Sequence, residues 1–192
     1  VSKSRFLAQF VADWGKLGQI RSTHRPLEHS LIFAGEYEHR IDPQGRVAIP
    51  ARFKQAFLEG IVLGRAYDNC VVVYTPEEWE RAASDIAQQP ATSANARKLA
   101  RLTFSGAYVG SLDRSGRVVI PQQLREYAGL GDDVVIVGTG RFMEIWSVDA
   151  WEHERRSLDT DAANIAESAP QVSNAPQPTP IILQQIDSES DR

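Results

Sequence analysis

"IDPQGRVAIP" at residues 41–50 and "LDRSGRVVIP" at residues 112–121 share six letters of ten, and this repetition decides the fold. Asp42, Gly45, Arg46, Val47, Ile49 and Pro50 return 71 residues later as Asp113, Gly116, Arg117, Val118, Ile120 and Pro121. The match resumes downstream, where "CVVVYTPEEW" (70–79) corresponds to "FMEIWSVDAW" (142–151). Tyr74 stands opposite Trp146 and Trp79 opposite Trp151, now at an offset of 72, so one residue is inserted between the two blocks. Two copies are too few for a solenoid. They fit an internal pair arranged about a pseudo-twofold axis.

Each copy spells the same order of elements. "GEYEHRI" (35–41) and "GAYVGSL" (106–112) alternate in part, as short strands do. Asp-x-x-Gly then makes a tight turn, because Asp bonds its own backbone and Gly takes positive φ without a Cβ penalty. In "RVAI" the alternation sends Val47 and Ile49 to one face and Arg46 and Ala48 to the other. Pro50 ends this strand and suits the first turn of a helix, "PARFKQAFLEG", closed by Gly60. The second copy has "PQQLREYAG", closed by Gly129. Strands follow at 61–66 and 70–74, then at 133–138 and 142–146, with "YDN" and "TGR" as their turns. A helix follows each pair. Thr75, Pro76 and Glu78 supply an N-cap, an N1 proline and the glutamate of a capping box. Ser147 caps the second helix with Ala150 in the place of that glutamate.

The reading divides the chain into an N-terminal extension (1–32), a first repeat (33–79), a helical connector (80–105), a second repeat (106–152) and a tail (153–192). The connector carries a helix near 93–104. Phe6, Phe10, Trp14 and Leu17 give residues 4–20 the spacing of a short amphipathic helix, and residues 21–31 read as a linker. The tail has four prolines, at 170, 176, 178 and 180, among Ser, Asn and Gln, a composition expected to stay disordered. Its one apolar island is "PIILQQI" at 180–186.

Charge is unevenly spread. Residues 1–33 carry five Lys/Arg against two Asp/Glu, residues 34–152 thirteen against sixteen, and residues 153–192 three against seven. Any contact with nucleic acid must therefore come from a local patch. The single cysteine, Cys70, excludes an internal disulfide and is read as a buried, inert thiol that fits a reducing cytoplasm. None of His24, His29, His39 and His153 stands at metal-ligand spacing from it. No segment is apolar enough to span a membrane. Lys3 and Arg5 precede a short apolar run, but Asp13 breaks it and no small-residue cleavage site follows, so no export is read. A glycine-rich phosphate loop, a metal spacing and a nucleophile with a partnered base are all lacking, so no enzyme, cofactor or metal is expected.

Two readings compete for Arg46 and Arg117. In one, the carboxylate four residues earlier (Asp42, Asp113) holds the guanidinium, and such pairs stitch the copies together. In the other, the planar fork of each arginine contacts phosphates or base edges.

The stretches "FAGEYEHRIDPQGRVAIPARFK" and "FSGAYVGSLDRSGRVVIPQQLREYAGL", with "VYTPEEWE" and "EIWSVDAWE", resemble the MraZ family of bacterial regulators. Its members carry two tandem SpoVT-AbrB-type domains, each marked by Asp-x-x-x-Arg. The resemblance covers about 33–152 and leaves 1–32 aside, which are expected to be an upstream start read into the chain. It implies an α+β fold of two tandem swapped-hairpin β-barrel repeats with short helices, ring-shaped homo-oligomers, and binding to repeated boxes in double-stranded DNA. It implies regulation of the division and cell-wall gene cluster, including the chain's own promoter, in the cytoplasm at the nucleoid. The DNA face it implies centres on Arg46 and Arg117. Basic positions before the turn hold His39 and Arg40 in the first repeat, but Gly110 and Ser111 in the second. Early in the helices stand Arg52 and Lys54, then Arg125. The second repeat, poorer in charge before its turn, is expected to contribute less to DNA binding. The alternative is a ring that acts on a protein partner and has lost DNA binding.

Overall fold

The computed structural model describes residues 32–169, which divide into a unit ending at Ser147 and a second unit beginning at Val148. The helix expected over 4–20, the linker at 21–31 and the apolar island at 180–186 lie outside the described residues.

The first unit holds eight strands: β1 (Phe33–Arg40), β2 (Arg46–Ala48), β3 (Ile61–Arg65), β4 (Val71–Tyr74), β5 (Tyr108–Gly110), β6 (Arg117–Val119), β7 (Asp133–Gly140) and β8 (Met143–Ser147). Three α-helices join them: α1 (Pro76–Ala87), α2 (Ala94–Ser105) and α3 (Gln122–Tyr127). Six strands form one antiparallel sheet in the order β1-β7-β8-β4-β3-β5, and β2 pairs with β6 in a second, two-stranded sheet. Exchanging the two copies turns that six-strand order into its own reverse. The first strand of each copy pairs with the other copy: β1 lies against β7, and β5 against β3. The β2–β6 ladder is centred on Val47↔Val118, one residue from each repeat.

The core follows from this exchange. Val47 and Val118, Ile49 and Ile120, and Phe53 and Leu124 occupy equivalent positions, and all six are buried. They join Val71, Val73, Met143 and Ile145 in one cluster drawn from both copies. Burying each such side chain contributes roughly 1.5–3 kcal/mol. Phe33 packs edge-on against Phe53 at 5.0 Å between ring centroids, which fixes the start of β1 to the core. Gly138 lets β1 lie this close to β7. A Cβ there would come 2.4 Å from the backbone nitrogen of Ala34.

Three local expectations need correction. The helix expected over 50–60 with Pro50 in its first turn is a shorter 3-10 helix, Ala51–Phe57, with Pro50 before it as the N-cap. Pro50 provides no side-chain cap, and the bonds present close over three residues, as in Phe53 N to Pro50 O at 2.8 Å. Thr75 caps α1 by accepting from Glu78 N at 3.2 Å, but the Glu78 carboxylate is taken up by Arg81 and by Arg141, at 2.8 Å from its Nη2. The third correction concerns the tail. The second unit forms α4 (Val148–Ser168), which runs well into the stretch expected to be disordered from residue 153. Helix formers such as Glu152, Glu154, Arg155, Arg156 and Leu158 precede the first proline of the tail, Pro170, and Arg156 pairs with Glu152 one turn earlier at 2.7 Å.

Candidate nucleic-acid interface

The two Asp-x-x-Gly turns are built alike. Asp42 Oδ1 accepts from Gln44 N and Arg46 N, both at 3.0 Å. Asp113 Oδ1 accepts from Ser115 N at 2.8 Å and Arg117 N at 3.0 Å. Gly45 and Gly116 sit at φ +77° and +75°, a region that costs glycine little. Each turn also feeds the other copy: Ile49 N donates to Gly116 O at 3.0 Å, and Ile120 N to Gly45 O at 2.8 Å. The turns thus stand at opposite ends of the three-residue antiparallel β2–β6 ladder, with Arg46 and Arg117 on one face of it.

The arginines meet there. Arg46 Nε donates to Asp42 Oδ2 at 2.8 Å, and Arg117 Nε to Asp113 Oδ2 at 2.9 Å. The pairs cross over as well. Arg117 Nη1 lies 3.4 Å from Asp42 Oδ2, and Arg46 Nη1 lies 3.9 Å from Asp113 Oδ2. Two cations and two anions therefore form one cluster, with the arginine side chains 29% and 34% exposed. The Asp42 carboxyl is held below its usual range, chiefly by the Arg46 side chain. Asp113 is also held low, chiefly by the Arg117 backbone N–H. Asp42 in turn raises the pKa of Arg46. A guanidinium has five donors, and these contacts leave some on each arginine for an outside acceptor. Stitching and outward contact are thus compatible.

The other basic positions fare differently. Lys54 and Arg125 are equivalent, and each covers the opposite copy's turn. Lys54 Nζ donates to Ser115 O at 2.8 Å. Arg125 Nε donates to Ile120 O at 3.2 Å, and a Cβ at Gly45 would come 3.2 Å from the Arg125 guanidinium carbon. Arg52 is engaged elsewhere, with Nη1 3.3 Å from the Tyr37 hydroxyl and its guanidinium 4.9 Å from the Phe53 ring centroid. Arg40 pairs with Asp133 at 3.0 Å and more loosely with Asp132 at 3.8 Å. His39 is half-buried, and burial pushes its pKa down, so it is neutral at pH 7. The two residues that made the first repeat look richer in charge are thus one neutral ring and one cation shared with two acids.

A further cation lies inside the second turn. Arg114 occupies the second turn where the first has Pro43. It is exposed, and it makes no hydrogen bond or ion pair among the described residues. The difference between the copies here lies inside the turn, not in the segment before it. Among the described residues, no three His, Cys, Asp or Glu side chains gather as metal ligands. No described helix is long and apolar enough to cross a membrane. Cys70 is buried, as its apolar run predicts.

The fold and the paired turns define a tandem-repeat α+β protein whose copies share one sheet and one ionic cluster. The model of the family described as "MraZ protein, putative antitoxin-like" matches two consecutive segments, 32–102 and 103–171. Similar chains named "Transcriptional regulator MraZ" occur in Roseiflexus castenholzii (46% identical over 136 residues), Herpetosiphon aurantiacus (41%) and Natranaerobius thermophilus (40%). Each comparison covers 71% of this chain and 95% of the relative. The chain belongs to the MraZ family.

Proposed function

We propose that the chain is a sequence-specific DNA-binding transcriptional regulator. The observation that carries this reading is the side-by-side placement of Arg46 and Arg117, each one-third exposed and clamped by a carboxylate. Clamping reduces the rotamer freedom lost when a guanidinium forms its bidentate contact with a base or phosphates. The relatives' shared name supports the same reading.

The finer proposal is that each chain forms a closed swapped-hairpin barrel and that several chains assemble into a ring. The ring acts on repeated boxes ahead of the division and cell-wall genes, its own promoter included, in the cytoplasm at the nucleoid. A single protomer with a few phosphate contacts binds weakly and loses affinity steeply with salt. Tethering protomers makes each later contact intramolecular, raising avidity by about 10²–10⁴. An acidic chain with a net charge of −4 then binds tandem boxes without adhering to all DNA.

The test is a salt titration of binding to a duplex from upstream of the chain's own gene, beside a scrambled duplex of equal length. The reading requires a clear preference for the first and a steep log–log slope. Equally weak binding to both overturns it.

A further inference from the structure

Equivalent ground around the two turns is charged differently, balanced at the first, where Arg125 and Arg40 meet Asp132 and Asp133, and cationic at the second. Before the first turn, Arg40 is answered by Asp132 and Asp133, and Ile41 N is tied to Asp132 O at 2.7 Å. Before the second, the position equivalent to Arg40 is Ser111, with no acid paired to it. Within the turns, uncharged Pro43 and Gln44 are replaced by Arg114 and Ser115. The Gln44 side chain is already used, accepting from Arg46 Nη2 at 3.0 Å.

A cleft of about 250 Å³ opens at the second turn, lined by Lys54, Ser111, Arg114, Ser115 and the Gly116 backbone among others. Lys54 uses one N–H on Ser115 O at 2.8 Å and has two more to give. Arg114 has its full guanidinium free among the described residues. Ser111 and Ser115 add two hydroxyls. The one carboxylate on the lining, Asp113, has both oxygens turned to its own loop and to Arg117. Two cations lining one cleft with hydroxyls beside them suit a phosphodiester's oxygens.

We propose that this cleft takes a backbone phosphate of double-stranded DNA through Arg114 and Lys54. The second turn, with Lys54 reaching over it from the first repeat, then supplies more of the salt-dependent contact than the first turn, the reverse of what the residues before the turns suggest. Arg46 and Arg117 carry sequence preference, and the Arg114–Lys54 cleft carries position and charge. The inference rests on the DNA-binding reading above.

The experiment compares the full chain with Arg114→Ala, Arg114→Lys and Arg46→Ala on the upstream and scrambled duplexes across a salt series. Arg114 is exposed, so its replacement leaves the fold in place. Arg114→Ala weakens binding to both duplexes by a similar factor and lowers the salt slope by about one unit per bound protomer. Arg114→Lys restores the slope, because a single charge suffices for a phosphate. Arg46→Ala removes the preference between duplexes. An unchanged slope in Arg114→Ala overturns the proposal and leaves the DNA-binding reading intact. So does a loss of preference at constant slope, which makes Arg114 a base contact. If the unaltered chain shows neither preference nor salt dependence, the DNA-binding reading itself fails and this inference falls with it.

Discussion

The Asp42–Arg46 turn and the Asp113–Arg117 turn have nearly superimposable internal bonding and different surroundings. In both, Oδ1 of the aspartate fixes two backbone N–H groups and Oδ2 takes the arginine of its own loop. Across the axis the balance tilts. Asp42 receives the other copy's arginine at 3.4 Å, whereas the reciprocal contact to Asp113 is 3.9 Å. Outside the loops, the first turn follows an arginine paired with two acids, and the second holds an unpaired one. The two copies agree in the part that makes the turn and differ in the part that meets solvent. The first turn is the better clamp and the second the more open cationic surface.

Substitutions at equivalent positions test how far this division of labour goes. The largest effects lie where the copies agree. Phe53→Ala costs about 3–5 kcal/mol and Leu124→Ala about 2–5 kcal/mol, read from denaturant unfolding. A cost under about 1 kcal/mol at either position breaks the claim of a shared core. Next come the arginines. Arg46→Ala and Arg117→Ala each lower binding to the upstream duplex by roughly 10- to 100-fold with the fold retained. Unfolding without a specific loss of binding makes them structural alone.

A smaller effect separates the carboxylates. Both aspartates have folded pKa values below 3.8, so their contribution is present above that pH and lost as pH falls through the lower folded values. Asp42→Asn and Asp113→Asn each flatten the acid limb of the stability curve. Asp42→Asn flattens it more, because Asp42 holds two arginines closely. Equal effects erase the asymmetry between the turns. The smallest change is Arg40→Ala. Its pair with Asp133 is 72% and 66% exposed, and removing it shifts stability by less than about 1 kcal/mol.

Much of the fold was legible locally, for physical reasons that also mark the limits. Alternation around Val47 and Ile49, the β-branched run at 71–73 and the Thr75–Pro76 cap report on a residue's immediate neighbours, and each element formed. The partner of β1 is another matter. Glu36 and Tyr37 oppose Val137 and Ile136, and nothing within residues 33–40 specifies a mate from the other repeat. The helix expected after Ser147 formed, but its continuation beyond residue 152 was hidden by averaging. Prolines confined to 170–180 coloured the whole tail, although the residues before them are good helix formers. At the turns, the Asp and Arg spacing pointed to their ion pairs, but the burial of His39 and the neutralising of Arg40 by Asp132 and Asp133 required three dimensions. Arg114 stands in the sequence as one more surface cation, and only the fold shows that it shares a cleft with Lys54 from the other repeat.

The strand exchange has a consequence for how the chain is made. β1 cannot complete its ladder until β7 exists, and Phe33↔Gly140 and Arg40↔Asp133 put the two about a hundred positions apart. At ribosomal rates of about 5–20 residues per second, that is a wait of roughly 5–20 s in which the first repeat has emerged without its edge partner. An early nascent chain therefore carries an open strand edge, which its own β7, tethered on the same chain, closes once it has emerged.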